Sequence, residues 1–293
     1  MSGQYMNKQH PKQTRPLAKV AGVAGWPVHH SLSPLIHNYW LQSLKISGAY
    51  TMFAVRPDEA VRAFQTLPKT TISGLNVTIP LKGKAFEAAD EVSEDALKLG
   101  VCNCLYVKDG QLIGHNTDME GFADPLLRRM NHRYLLNNSA VILGAGGAAR
   151  AVLGALLSIG VPEITLLNRT DAKAEKLVHN INIPNLFYVP WADRHKAVMG
   201  AGLVVNASAA GMKGGGDLDI ELDNLTTGAW VYDLVYTPEH TSLLVRAQAR
   251  GLNTIGGLEM LVAQARPSFK LFFGQTPPPT PELMEKLRAQ LAR

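Results

Sequence analysis

The chain has only two cysteines in 293 residues, Cys102 and Cys104. One residue apart in an extended stretch, they would point to the same side of a strand. They are too few for a disulfide framework and have no partner set for a metal, so they read as structural thiols. His29, His30, His37 and His115 also lack ligand spacing, and no metal is expected. Long apolar runs are missing. None approaches the roughly 18 uncharged residues that a membrane helix needs, and no apolar block follows the first basic residues as in a secretory signal. The cytoplasm is therefore the expected location, with no membrane partner. Charge of one sign does not accumulate: the net charge is +5 with 18% charged residues, and the basic side chains are scattered rather than set in an aromatic-interleaved stripe. Nucleic acid is not the expected partner, and a small anionic molecule accounts for mild positivity as well. Residues 1–16 carry Lys8, Lys12 and Arg15 with no acid and no periodicity. They read as a disordered leader or an expression remnant, with an organelle transit peptide as the alternative.

What is present is alternation. Strand-like runs at Leu17 to Ala24, Ala49 to Val55 and Ile72 to Ile79 interleave with helical patterns at Pro34 to Lys45, Pro57 to Leu67 and Lys82 to Leu99. This βαβαβα order predicts a mainly parallel sheet covered by helices. Strands at Asn103 to Lys108 and Gln111 to Gly114 are joined by Asp109-Gly110, a two-residue hairpin signal that adds antiparallel pairing. A helix from Met119 to Met130 and a polar loop from Asn131 to Asn138 lead into Ala140 to Gly144, where a second alternating series starts. It continues through Glu163 to Asn168, Leu203 to Asn206, Ala229 to Leu234 and Asn253 to Ile255. Helices at Gly257 to Phe273 and Pro281 to Leu291 close the chain, the last with Thr280 as N-cap and Pro281 at its first position. Gly211 to Gly216 reads as a mobile loop. The expected fold is α/β in two domains, an N-terminal mixed α/β domain followed by a Rossmann-type domain with a parallel sheet.

Gly144-Ala145-Gly146-Gly147-Ala148-Ala149 follows a hydrophobic strand and opens a helix of small residues, the context in which a glycine-rich turn binds a dinucleotide. Gly144 permits the tight turn, Gly146 lets backbone approach a pyrophosphate, and Ala149 allows close helix packing. The pyrophosphate would rest on the helix N-terminus, where free N–H groups and the dipole favour an anion. A turn needed only for packing is the bland alternative. The next strand ends in Asn168-Arg169-Thr170, with Lys173 one turn on, where NAD enzymes place an acid for the ribose hydroxyls. Arg169 can fork onto a 2′-phosphate and Lys173 adds charge, so NADP is expected over NAD.

Three further groups carry candidate chemistry. Leu75, Val77 and Ile79 alternate with Asn76 and Thr78, and Pro80 ends the ladder, so Lys82 emerges just past a strand end, where open α/β sheets bind ligands. Taken alone, a surface lysine is the commoner case. Ser31-Leu32-Ser33-Pro34 precedes a helix. Capping explains Ser33 but not Ser31, and two hydroxyls beside a helix N-terminus also suit a carboxylate. Asn103 and Asn116-Thr117-Asp118 form the third group, in which Asp118 either caps the next helix or pairs with Lys82 for proton transfer.

Together these motifs resemble the shikimate dehydrogenase family, from about Ala21 to Gly274. The resemblance rests on Gly25-Trp26-Pro27 through His30-Ser31-Leu32-Ser33-Pro34 with His37-Asn38, and on Asn76-Val77-Thr78-Ile79-Pro80-Leu81-Lys82. It continues in Asn116-Thr117-Asp118, the Gly144 and Asn168-Arg169-Thr170 motifs, Asn206 to Met212, Asp233 to Pro238 and Gly256 to Gln264. The family's pattern implies Lys82 and Asp118 as the catalytic pair. It implies Ser31, Ser33, Thr78, Asn103, Asp118, Tyr236 and Gln264 as contacts to the substrate's carboxylate and hydroxyls. Gly144, Ala145, Gly146, Gly147, Ala148, Ala149, Asn168, Arg169, Thr170, Lys173, Leu234 and Gly257 would line NADP, with Glu94 toward the nicotinamide end. Tyr236 and Gln264 could equally be packing residues.

The implied reaction is reversible NADPH-dependent reduction of 3-dehydroshikimate to shikimate, a step toward aromatic amino acids, by a monomer or homodimer. The implied domains are residues 1–117 completed by 258–293 for substrate, and 118–257 for NADP. Cys104, His115, Met119 and Glu259 depart from the commonest family residues, which leaves fine substrate preference open. An NAD-using quinate/shikimate dehydrogenase is the nearest alternative. A catalytically silent dinucleotide-binding regulator is an alternative of another class.

Overall fold

The computed structural model describes residues 18–292. The reading of residues 1–16 lies outside them. The first half of the chain builds one mixed sheet. Its elements are β1 (Lys19–Gly25), α1 (Ser33–Ser43), β2 (Gly48–Ala54), α2 (Ala60–Gln65), β3 (Ile72–Val77), α3 (Lys82–Ala88), β4 (Glu91–Val92), α4 (Glu94–Leu99), β5 (Cys104–Lys108) and β6 (Gln111–His115). The strand order is β2-β1-β3-β5-β6-β4. β1 runs parallel to β2 and β3, whereas the hairpin β5–β6 joins β3 antiparallel.

The second half comprises α5 (Asp118–Arg129), α6 (His132–Leu136), β7 (Ala140–Leu143), α7 (Gly147–Ile159), β8 (Ile164–Leu167), α8 (Asp171–Ile181), β9 (Leu186–Tyr188), α9 (Arg194–Ala197), β10 (Leu203–Asn206), β11 (Trp230–Asp233), α10 (Ser242–Ala249) and β12 (Asn253–Gly256). These strands form a wholly parallel sheet in the order β12-β11-β10-β7-β8-β9. Every residue of β7, β8 and β10 is buried, as a sheet covered by helices on both faces requires of continuous apolar runs. Successive strands leave β7 in opposite directions, β8 on one side and β10 on the other, so the glycine-rich turn after β7 sits at the switch point.

Two C-terminal helices, α11 (Gly257–Phe273) and α12 (Pro281–Leu291), return to the first sheet. Phe269, Phe272, Phe273, Leu283 and Leu287 share one core with Val23, Ile36, Trp40 and Cys104. Helix α5 packs under the second sheet, where Phe122 stacks on Tyr232 with ring centroids 4.9 Å apart.

Local differences from the sequence reading have physical causes. The helix expected from Lys82 to Leu99 is two helices separated by β4, because Ser93 caps α4 by accepting the Ala96 N–H at 3.3 Å. The loop expected from Asn131 to Asn138 contains α6, which Asn131 caps in the same way. Cys102 and Cys104 pack in different cores rather than on one face, since Cys102 lies before β5 begins. Ser33 and Thr280 make no capping bond with their side chains. Around Gly211 to Gly216 the chain forms a turn closed by Gly211 N–H to the Gly216 carbonyl at 3.0 Å.

Candidate active site

Lys82 opens α3 immediately after the turn that follows β3. The Thr78 N–H donates to the Ala24 carbonyl at 2.9 Å, and the Leu81 N–H donates to the Thr78 carbonyl at 2.9 Å. These bonds fold the chain back and aim the lysine across the sheet end. Asp118 is the first residue of α5, and its own N–H donates to Asn116 Oδ1 at 3.0 Å. Its carboxylate bonds Lys82 and Asn103 rather than the first-turn N–H groups of α5, so the side chain turns inward instead of capping the helix. It ion-pairs there with Lys82 Nζ, the two side chains being 20% and 7% exposed. Such a pair holds the lysine side chain on a fixed bearing.

Asn103 completes the frame. Its Nδ2 donates to Asp118 Oδ1 at 2.8 Å and to Thr117 Oγ1 at 2.9 Å, while its Oδ1 accepts the Thr117 N–H at 2.7 Å. Gln264, reaching over from α11, places Oε1 3.5 Å from both Asn103 Nδ2 and Thr117 Oγ1. A lysine, an aspartate, two amides and a hydroxyl thus converge from the starts of α3 and α5, the residues just before β5 and just before α5, and α11. Ser33 is buried at the start of α1, beside the Tyr50 phenol. Tyr50 donates to Asn76 Oδ1 at 2.7 Å, and Asn76 Nδ2 donates to the Asn103 carbonyl at 3.4 Å. Burial drives the Tyr50 pKa far up, so the phenol keeps its proton. Ser31 Oγ accepts the Ser33 N–H at 3.3 Å, so Ser31 and not Ser33 serves the helix start. Thr78 packs its methyl beside Gly25. Tyr236 is half-buried against the first core, and burial raises its pKa.

The dinucleotide candidates gather at the other wall. Gly144 adopts φ +124, which a side chain rarely permits, and a Cβ there would stand 2.9 Å from the Ala207 carbonyl oxygen. Gly146 precedes α7 with no side-chain cap, so the first-turn N–H groups keep their capacity for an anion. Ala145, Ala148 and Ala149 complete that turn, with Ala149 buried. Arg169, Thr170 and Lys173 lie past β8, and Asn168 Nδ2 donates to the Thr170 carbonyl at 2.8 Å. Leu234 and Gly257 abut backbone to backbone, because a Cβ on Gly257 would strike the Leu234 carbonyl. The two walls meet: a Cβ on Gly147 would stand 3.4 Å from Lys82 Cδ. Glu94, at the start of α4, is exposed and paired with Lys98 at 2.6 Å.

Sequence reasoning passed over Thr117 and Tyr50 as site members. Thr117 belongs to the Asn-Thr-Asp motif and was legible as a neighbour, whereas Tyr50 lies in a strand whose pattern marks only core.

A glycine-rich turn at a parallel-sheet switch point, faced by a lysine–carboxylate pair, defines a dinucleotide-dependent oxidoreductase. The family model for the shikimate dehydrogenase substrate binding domain matches residues 23–105, that for shikimate / quinate 5-dehydrogenase matches 127–213, and that for the shikimate 5′-dehydrogenase C-terminal domain matches 257–287. A shikimate dehydrogenase (NADP(+)) of Rhodospirillum rubrum is 42% identical over 277 residues, covering 93% of this chain and 96% of that protein. The chain belongs to the shikimate dehydrogenase family, enzymes that are oxidoreductases acting on a CH–OH group. Among solved structures, shikimate 5-dehydrogenase from Thermus thermophilus in complex with NADP(H) and shikimate superposes with a TM-score of 0.80 at 32% identity, covering 94% of this chain and all of that one. Quinate dehydrogenase from Corynebacterium glutamicum in complex with NAD superposes with a TM-score of 0.82 at 27% identity, covering 94% and 99%.

Proposed function

We propose that this protein catalyses the reversible NADPH-dependent reduction of 3-dehydroshikimate to shikimate, with Lys82 as proton donor and acceptor and Asp118 as its partner. One observation carries the reading: Lys82 is paired to Asp118 while its stem lies against Gly147 of the dinucleotide turn. The proton source and the hydride source are thereby neighbours. NADPH, when bound, supplies the hydride for the ketone carbon. As the ketone oxygen takes on alkoxide charge, the Lys82 ammonium hydrogen-bonds it and gives up one proton, so ketone, hydride and proton together make the alcohol. Asp118 stabilises the ammonium beforehand and keeps it aimed. In oxidation the same lysine receives the proton.

The substrate is anionic, and Ser31 and Ser33 at the start of α1 supply hydroxyls for its carboxylate. Thr78, Asn103, Tyr236 and Gln264 serve its hydroxyls. The residues at the second wall suit NADP: the free first turn of α7 takes the pyrophosphate, Asn168, Arg169, Thr170 and Lys173 face the 2′-phosphate, and Leu234 and Gly257 give a flat backbone surface toward the nicotinamide. Residues 1–117 with 258–293 would then form the substrate half and 118–257 the cofactor half. Among the described residues no helix is long and apolar enough to cross a membrane, and a cytoplasmic biosynthetic step toward aromatic amino acids agrees with that.

The test is one comparison: shikimate and quinate, each with NADP+ and NAD+, followed by absorbance of the reduced nicotinamide. Shikimate with NADP+ is expected to be turned over fastest. Preference for quinate with NAD+ would move the protein to the quinate branch of the family, and no turnover of any pair would leave a silent dinucleotide binder.

A further inference from the structure

The parallel sheet ends in a single register row: Leu167, Leu143, Asn206, Asp233 and Gly256 lie side by side on β8, β7, β10, β11 and β12. One step beyond that row come Asn168, Gly144, Ala207, Leu234 and Gly257, so the cofactor wall inherits its shape from how the row is held. Two polar side chains, Asn206 and Asp233, stand in it, and both are fully buried. Neither has a part in the proton transfer proposed above.

Asp233 accepts three hydrogen bonds. Asn206 Nδ2 donates to its Oδ1 at 2.8 Å, the Val235 N–H donates to the same oxygen at 3.0 Å, and Thr241 Oγ1 donates to Oδ2 at 2.7 Å. Asn206 is used on every side: Nδ2 also donates to the Ala210 carbonyl at 2.9 Å, and Oδ1 accepts from Ser208 N–H at 3.1 Å and Ser208 Oγ at 2.7 Å. Thr241 in turn caps α10 by accepting the Leu244 N–H at 3.3 Å. One carboxylate therefore ties together the loop after β10, the turn after β11 and the start of α10. Burying an acid there is costly, and burial pushes its pKa up to about 6 against the pull of its donors. Apolar residues would fill a sheet row at no such cost, so the network is retained for the loops it fixes.

Those loops touch the cofactor wall directly. The Ala207 carbonyl fills the space beside Gly144, and the Leu234 carbonyl lies flat on Gly257. We propose that Asp233 is a positioning residue that, through Asn206 and the Val235 N–H, fixes the Ala207 and Leu234 backbone against the NADP-binding turn. The inference rests on the functional reading above.

It is tested by calorimetric titration of NADP+ into the wild type, Asp233→Ala and Asp233→Asn, with shikimate KM measured at saturating NADP+. Losing an acceptor for three buried donors is expected to raise the NADP+ Kd about tenfold in the alanine variant. The asparagine variant keeps an oxygen for Asn206 and Val235 and should stay within about threefold of wild type. Shikimate KM should rise by less than the NADP+ Kd in both, because Ser31, Ser33 and Lys82 stand at helix starts of the first sheet and Lys82 and Asn103 hold the Asp118 carboxylate, leaving Tyr236 as the substrate contact that follows the turn after β11. An unchanged Kd in D233A, or a shikimate KM that rises in step with it, overturns the proposal. If D233A does not accumulate as folded protein, Asn206→Ala cuts the link from Asp233 to the loop after β10 while leaving the carboxylate and Thr241 in place, and an unchanged NADP+ Kd there is equally fatal. A wild type that binds NADP+ but does not oxidise shikimate would sink the functional reading while leaving the Kd comparison standing.

Discussion

Lys82 and Asp118 share one ion pair, and the second aspartate oxygen, Oδ1, accepts from Asn103 Nδ2 at 2.8 Å. Both carboxylate oxygens are thus occupied by fixed partners, and the ammonium is held by one of its three N–H bonds with the others left for a ligand. We expect Lys82→Ala to lower turnover about 100-fold or more, the usual loss for a positioned proton donor, while NADP+ Kd stays near wild type. Stopped-flow and titration measurements on the same preparation separate the two. Unchanged turnover would remove Lys82 from the mechanism.

Arg169 lies exposed beyond β8 with no ion-pair partner among the described residues. Its guanidinium is therefore available to a 2′-phosphate in bidentate fashion. Arg169→Ala is expected to raise KM for NADPH by about tenfold or more and to leave that for NADH within about twofold. Equal effects on both cofactors would show that the arginine does not read the phosphate.

The two strand series, the hairpin and the glycine-rich turn were legible because each rests on local pattern: apolar runs, Asp109-Gly110, and glycines between a strand and a helix. The lysine's partner was legible only as one of two options, since an acid ahead of a helix reads equally as a cap. Tertiary contact decided it, with Lys82, 36 residues earlier, taking Asp118 Oδ2. The split of α3 from α4 turned on Ser93, whose capping role is local but is outweighed in the pattern by the helix formers on both sides. Positions that depart from the commonest family residues found specific partners. Met119 packs 3.0 Å from where a Cβ on Gly154 would stand, and Glu259 pairs with Arg129 at 2.9 Å. Such compensations involve residues far apart in sequence, so no reading of spacing reveals them.

His37 is fully buried, stacked on Tyr50 with ring centroids 3.9 Å apart, and neither ring nitrogen has a hydrogen-bond partner. Desolvation lowers its pKa from the ordinary 6.5 to about 3. The native state therefore holds the neutral ring, and the stability this entails is complete above pH 6.5. As pH falls from 6.5 toward 3 the unfolded chain takes up a proton that the native chain does not, and stability declines. Asp233, with its pKa raised to about 6, works in the opposite sense, losing stability as pH rises from the ordinary carboxylate range to 6. The comparison of wild type with His37→Leu isolates the histidine. The difference in Tm between them should shift steadily toward the leucine variant between pH 6.5 and 4. A difference that is flat with pH would mean that His37 is not held neutral.

Gly146 and Gly257 separate what a glycine does for cofactor from what it does for fold. A Cβ on Gly257 would strike the Leu234 carbonyl, a backbone atom that the Asn206–Asp233 row keeps in place. Relief requires β11 or α11 to move, so Gly257→Ala should lose about 1–3 kcal/mol of stability, visible as a fall of several degrees in Tm. Gly146 is different, for its φ of −86 is open to any residue and a Cβ there would meet nothing within 4 Å. Folding alone therefore gives no reason for glycine at 146. The open space lies over the uncapped first turn of α7, where a pyrophosphate would approach the N–H groups. Gly146→Ala should accordingly keep the wild-type Tm within about 2 °C and raise NADP+ Kd by about tenfold. Loss of Tm without loss of affinity at Gly146 would reverse the assignment, making the turn a packing device and taking the pyrophosphate away from α7.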